Sequence, residues 1–165
     1  MLGENGSVED LTRRRVAVVT GASSGIGLAA ATELCRRGWT VALVGRDESR
    51  LVRAVETARA SGASTKGHGS AEGFRCDFGR LDDVRSLAAR LRAAYPHIDV
   101  LANNAGGAFS QRRSTVDGLD QTMQVNHLAH FLLSHELREA LRSGRIVNTS
   151  SSAHTMGTLD PDDLG

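Results

Sequence analysis

Cysteine is scarce in this chain of 165 residues. The two present, Cys35 and Cys76, fall in a predicted helix and a predicted strand without metal-ligand spacing, so they read as reduced core filler and exclude a disulfide-stapled scaffold. Lysine is almost missing: Lys66 is the sole lysine among twenty basic residues, a compositional bias that arginine absorbs. No excess of either charge sign exists. Twenty basic residues against nineteen acidic ones leave a formal net charge of +1, which offers no footing for nucleic acid or for an anionic membrane. No apolar run approaches the length of a membrane span, and the N-terminus lacks the hydrophobic stretch of a signal peptide. We therefore expect a cytoplasmic protein with neither a membrane nor a nucleic-acid partner. Metal-ligand clusters are lacking too, since His68 stands alone and His127, His130 and His135 give no clean facing pair, so no metal is expected and these histidines read as structural.

What is there is a regular alternation. With 40% hydrophobic and 24% charged residues, the chain fits one globular domain, with residues 1–13 as a loose polar tail and 14–165 as the folded unit. Strand candidates are Val16–Val19, Trp39–Val44, Phe74–Cys76, Ile98–Ala102 and the run from Arg145. Helices are predicted between them. The first presents Ile26, Ala30 and Leu34; the second, Asp47–Ala60, presents Leu51, Val55 and Ala58; the third, Leu81–Tyr95, presents Val84, Leu87, Ala88, Leu91 and Tyr95 and stops at Pro96. A long helix is expected over 116–141, and Ser61–Gly73, rich in Gly, Ser and Ala, reads as a surface insertion. The fold class implied is α/β: a Rossmann-type, doubly wound parallel sheet in three α/β/α layers, incomplete on its C-terminal side.

The chain is organised around the turn Thr20-Gly21-Ala22-Ser23-Ser24-Gly25-Ile26-Gly27, which leads from the first strand into the first helix. Gly21 permits a tight turn, Gly25 lets backbone approach a pyrophosphate, and Gly27 lets the helix lie against the strand. The helix-start N–H groups, with the Ser23 and Ser24 hydroxyls, then face the phosphates at the positive end of the helix dipole. At the end of the second strand, Gly45 stands where an acid would accept from the ribose of NAD, and Arg46 stands where a guanidinium would grip the 2′-phosphate of NADP. NADP(H) is therefore expected over NAD.

Three ordered signatures give the pattern a family. Thr-Gly-x-x-x-Gly-Ile-Gly at 20–27, Asn-Asn-Ala-Gly at 103–106 and Ile-Val-Asn-x-Ser-Ser at 146–151 resemble the short-chain dehydrogenases/reductases, and Ser-Ser-x-Ala-His at 150–154 is similar to their retinol-dehydrogenase-like subgroup. The resemblance implies hydride transfer between a nicotinamide and a small carbonyl or alcohol substrate. It implies cofactor contacts at Gly21, Ser23, Ser24, Gly25, Ile26, Gly27, Arg46, Asp77, Asn103, Ala105 and Gly106. Asp77 would bind the adenine amino group, although an N-cap for the following helix is an alternative use. Asn126 would hold a water of the proton relay, and Ser151, flanked by Ser150 and Ser152, would orient the substrate oxygen. The general acid or base of the family is a Tyr four residues before a Lys, downstream of this serine. No such pair is present: Tyr95 and Lys66 both precede Ser151 on unrelated segments. The sequence thus reads as a fragment lacking the catalytic Tyr and Lys, with homo-oligomers expected only of a longer chain. The alternative is a nucleotide-binding or interaction module without turnover.

Overall fold

The structure, a computed structural model, describes residues 14–64 and 68–152. Five strands, β1 (Val16–Thr20), β2 (Thr40–Gly45), β3 (Ser70–Arg75), β4 (Val100–Asn103) and β5 (Arg145–Asn148), form one sheet in the order β3-β2-β1-β4-β5. Every pairing is parallel. The helices that connect them are α1 (Gly25–Arg36), α2 (Glu48–Ala63) and α3 (Leu81–Ala94), followed by a short α4 (Gln121–Met123), a π-helical turn (Gln124–Leu128) and α5 (Ala129–Glu136).

Because helices cover both faces, β1 and β2 are apolar along their length instead of alternating. On one face Val18, Val44 and Leu101 pack with Leu87 and Leu91 of α3 and Leu133 of α5. On the other, Val19, Val41 and Leu43 meet Ala31 and Cys35 of α1 and Leu51, Val55 and Ala58 of α2. Leu43, Leu87, Leu91, Leu101 and Leu133 are fully buried, and each such side chain contributes about 1.5–3 kcal/mol through removal from water. The strand order reverses between β1 and β4, so the loops at their C-terminal ends diverge and leave a crevice, as the doubly wound class requires.

Four expectations are corrected. The face that α1 turns to the sheet is Gly27, Ala31 and Cys35, while Ile26 is 74% exposed and Ala30 is also exposed. Both stripes have helical spacing, and the smaller residues win because they let α1 sit close to the sheet. The supposed insertion at Ser61–Gly73 is largely regular structure, with α2 running to Ala63 and β3 starting at Ser70, earlier than the predicted Phe74. Gly62 there is a packing residue, since a Cβ on it would lie 2.7 Å from the Gly69 carbonyl oxygen and 2.9 Å from the Cys35 sulfur. The long helix begins at Gln121, not Val116, because Gly118 takes φ +77 and Asp120 caps the Met123 N–H. Helix α5 ends at Glu136 and turns cover 137–143. Finally, Cys76 lies just past β3 and not within it, although both cysteines are buried and free. The tail 1–13, Lys66, and the residues from Ala153 onward, including His154, fall outside the described residues.

Candidate functional site

The crevice is a cleft of about 520 Å³ at the C-terminal ends of β1, β2 and β4. Its floor is the glycine turn. Gly21 (φ +65) and Gly25 (φ +56) hold left-handed conformations, and nothing lies within 4 Å of where a Gly25 Cβ would project. Gly27 has the opposite need: a Cβ there would come 2.5 Å from the Gly21 carbonyl oxygen. Ser24 is the N-cap of α1 and makes no side-chain cap bond, so its hydroxyl does not close off the first-turn N–H groups. Of the residues that sequence implicated, Gly21, Ser23, Ser24, Ile26, Arg46, Asp77, Ala105 and Gly106 line this one cleft. Gly25 and Gly27 shape its floor.

The two loops that flank the crevice are tied through Thr20. Its hydroxyl oxygen accepts from the N–H groups of Asn104 and Ala105, both at 2.9 Å, and its carbonyl accepts from Asn104 Nδ2 at 3.0 Å. Asn104 Oδ1 in turn accepts from the Thr149 hydroxyl at 3.3 Å, so the turn after β4 is fixed to the ends of both β1 and β5. This explains why a small-residue turn holds one shape.

Asn126 lies in the π-helical turn, an element frequent at functional sites. Its amide pairs with the backbone of Gly107: Oδ1 accepts from the N–H and Nδ2 donates to the carbonyl, each at 3.0 Å. One turn later, buried His130 places Nδ1 at 3.2 Å from the Asn126 carbonyl, which can only accept, so Nδ1 carries the proton. Nε2 then faces the Thr20 hydroxyl at 3.4 Å. Burial in the core, against the edge of Phe78, holds the His130 imidazole below its ordinary pKa and keeps it neutral.

A glycine-turn cleft at the switch point of a parallel sheet, with the Asn-Asn-Ala-Gly turn on its other wall, has a counterpart among known proteins. The sequence model of the short chain dehydrogenases matches residues 15–160. The chain belongs to the short-chain dehydrogenase family. It is 52% identical over 151 residues to DnrU of Streptomyces sp. strain C5, a protein named for daunorubicin C-13 ketoreduction, covering 91% of this chain and 50% of the relative. It is 37% identical over 153 residues to human retinol dehydrogenase 13, covering 91% of this chain and 45% of that protein. The chain thus spans about half the length of these curated relatives. A solved metagenomic short-chain oxidoreductase in complex with NADP superposes with a TM-score of 0.71 at 36% identity, covering 83% of this chain and 62% of that one.

Other residues fall into place less directly. Asp77 does not cap α3, whose N-cap is Arg80; its Oδ1 accepts from the Gly79 N–H at 3.0 Å in a local turn, and the residue lines the cleft. Asn103 lines a second cavity instead, where its Nδ2 donates to Ser134 Oγ at 3.1 Å and to Asn148 Oδ1 at 2.9 Å, while its buried Oδ1 has no partner among the described residues. That second cavity, of about 510 Å³, is bounded by Asn126, Phe131, Asn148 and Ser150. Ser151 lies three residues beyond β5 and is exposed. Asn126 is exposed as well. The sole tyrosine is remote: Tyr95 donates to Glu72 Oε2 at 2.9 Å, with its pKa raised by burial and then by that carboxylate.

Sequence reasoning assigned no site role to several cleft residues. Asp47 and Arg50 line the cleft from the start of α2, and Cys76 lines it from the end of β3. Burial pushes the Cys76 thiol up to about 12, so it is a protonated wall group and not a nucleophile. The signal for Arg50 was its place one turn after Arg46, on the first turn of a helix starting at the cleft.

Proposed function

We propose that this chain is the NADP(H)-binding part of an oxidoreductase that transfers a hydride between nicotinamide and a small carbonyl or alcohol substrate. The observation that carries the proposal is the end of β2. Gly45 is bare there, a Cβ would lie 3.2 Å from the Ser23 Cβ, and Arg46 follows it into the cleft lined by the glycine turn. An acidic side chain at 45 would crowd Ser23, whereas an arginine at 46 gives a phosphate paired donors. The open space above Gly25 fits a pyrophosphate resting on the start of α1. The NADP complex of the 36% identical metagenomic oxidoreductase supports the same cofactor.

When bound, the nicotinamide supplies or accepts the hydride. The rest of the chemistry assigned to this chain is positioning. Ser23, Ser24 and the α1 N-terminus take the phosphates, Arg46 takes the 2′-phosphate, and Asp77 takes the adenine amino group. Ala105 and Gly106 present backbone without side-chain bulk to the ring end, and their turn is held by Thr20. Asn126 keeps its amide in place through Gly107 and would hold the relay water. Ser151 orients the substrate oxygen. A cytoplasmic location belongs to the same proposal, supported by two buried, free cysteines, and a homo-oligomer belongs to it only for a longer chain. Calorimetric titration tests it: NADPH should bind at least about tenfold more tightly than NADH, the scale of one paired, charge-assisted contact. Absence of NADPH binding to the folded chain would overturn it.

A second proposal, a nucleotide-binding module without turnover, is favoured by Tyr95. Its hydroxyl is committed to Glu72 on the β3 side of the molecule, so the tyrosine of these residues transfers no proton in the cleft. This predicts thermal stabilisation by NADPH, which binds only the folded state, with no carbonyl reduction. Turnover that is lost in Ser151→Ala would count against it.

A further inference from the structure

We propose that Arg50, in the first turn of α2, is a second arginine of the 2′-phosphate site and acts with Arg46 to select the phosphorylated cofactor. The inference rests on the cofactor reading above and adds to it the residue that makes the ribose pocket specific.

Four observations converge on Arg50. It lines the same cleft as Ser23, Gly45, Arg46 and Asp47. Its place is fixed from below, because its neighbour Leu51 is 5% exposed and has Cδ1 at 3.4 Å from where a Gly45 Cβ would stand, so the first turn of α2 is pinned to the pocket floor. Its side chain is half exposed and its guanidinium has, among the described residues, one partner: Asp47 Oδ2, at 3.7 Å from Nε. That distance exceeds a hydrogen bond, and a guanidinium carries five N–H donors, so the fork remains available to a ligand. Finally, Asp47 creates a need for it. The Asp47 carboxylate lines the cleft beside Arg46, and its Oδ1 is committed to capping α2 through the Arg50 N–H at 2.8 Å. This charge would repel a 2′-phosphate approaching Arg46. Arg50 offsets it and supplies further donors in the same cleft, so a phosphate bound there meets positive charge from both arginines.

The test is a calorimetric titration of NADPH and NADH, which differ only in the 2′-phosphate, on the native chain and on variants whose folded content is checked by circular dichroism. Arg50→Met should weaken NADPH by about tenfold and leave NADH within about twofold, the signature of a lost charge-assisted contact. Arg53→Met removes the same charge one turn further along α2 and should move neither cofactor by more than about twofold. In an Asp47→Asn background, which keeps an N-cap residue, Arg50→Met should still weaken NADPH. Equal losses for NADPH and NADH, an Arg53 effect as large as that of Arg50, or disappearance of the loss in the Asp47→Asn background would each overturn the role of Arg50 while leaving the cofactor reading standing. A folded native chain that binds neither cofactor overturns both.

Discussion

Asn126 and Gly107 close a two-bond ring across 19 positions of sequence, with the Asn126 amide accepting from the Gly107 N–H and donating to its carbonyl at 3.0 Å each. The pair ties the π-helical turn to the loop that follows the Asn-Asn-Ala-Gly signature. It reproduces the pattern of two adjacent strands with a side chain in place of one of them. Asn126→Asp keeps the acceptor, loses the donor and sets a carboxylate against the Gly107 carbonyl. It should lower stability by about 1 kcal/mol in urea denaturation, and Asn126→Leu, which loses both bonds, by about 2 kcal/mol. Equal stability of all three proteins would show that the ring contributes nothing.

Gly27→Ala should be the most damaging single methyl in the turn. Its Cβ would meet backbone, the Gly21 carbonyl oxygen at 2.5 Å and the carbonyl carbon at 2.9 Å, and backbone cannot swing aside as a side chain can. An overpacking cost of about 1–3 kcal/mol is expected, together with weakened NADPH binding, because relief requires the turn itself to open. Melting and titration on one sample check both.

His130 makes stability depend on pH with a definite sign. Its folded pKa lies below the ordinary 6.5, first because of burial and also because His127 is nearby. The unfolded chain therefore takes up a proton that the folded chain resists. The stabilisation is complete above about pH 6.5 and is lost as pH falls through the lower folded pKa. Protonation would also give Nε2 a hydrogen pointing at a Thr20 oxygen that already accepts two N–H bonds. Melting curves between pH 5 and 8 should fall on the acid side for the native chain and be flatter for His130→Gln. Parallel curves would remove His130 as the source.

Strand β5 should govern association. It is the outer strand next to β4 among the described residues, and Ile146, Val147 and Phe131 are 46%, 53% and 66% exposed. An open apolar edge is a template for pairing with another chain. Light scattering should show concentration-dependent association that Val147→Lys reduces; no association in the native chain at high concentration would contradict this.

Much of the fold was legible because its determinants are local. The apolar runs of β1 and β2, the amphipathic stripe of α3 and the left-handed glycines of the first turn depend on neighbours a few residues away, and their predicted limits agree with the structure to within a residue. Elements whose identity depends on distant partners were misjudged. Ser61–Gly73 resembles a linker in composition, yet Gly62 is small so that α2 can meet Gly69 and Cys35. Asn126 has apolar neighbours, yet it is exposed and its amide bonds the Gly107 backbone, 19 positions away.

What the sequence by itself determined is the class of sheet, the family, and the glycine turn that floors the cleft, because strand and helix periods and glycine conformations are properties of short segments. Only the tertiary structure decided which stripe of α1 meets the sheet and that Thr20 holds the loop after β4. It also decided that His130, 110 positions away, touches Thr20, and that Arg50 shares a pocket with Arg46. Those relationships come from strand order and helix docking, where hydrogen bonds and burial act between groups that no local pattern brings together.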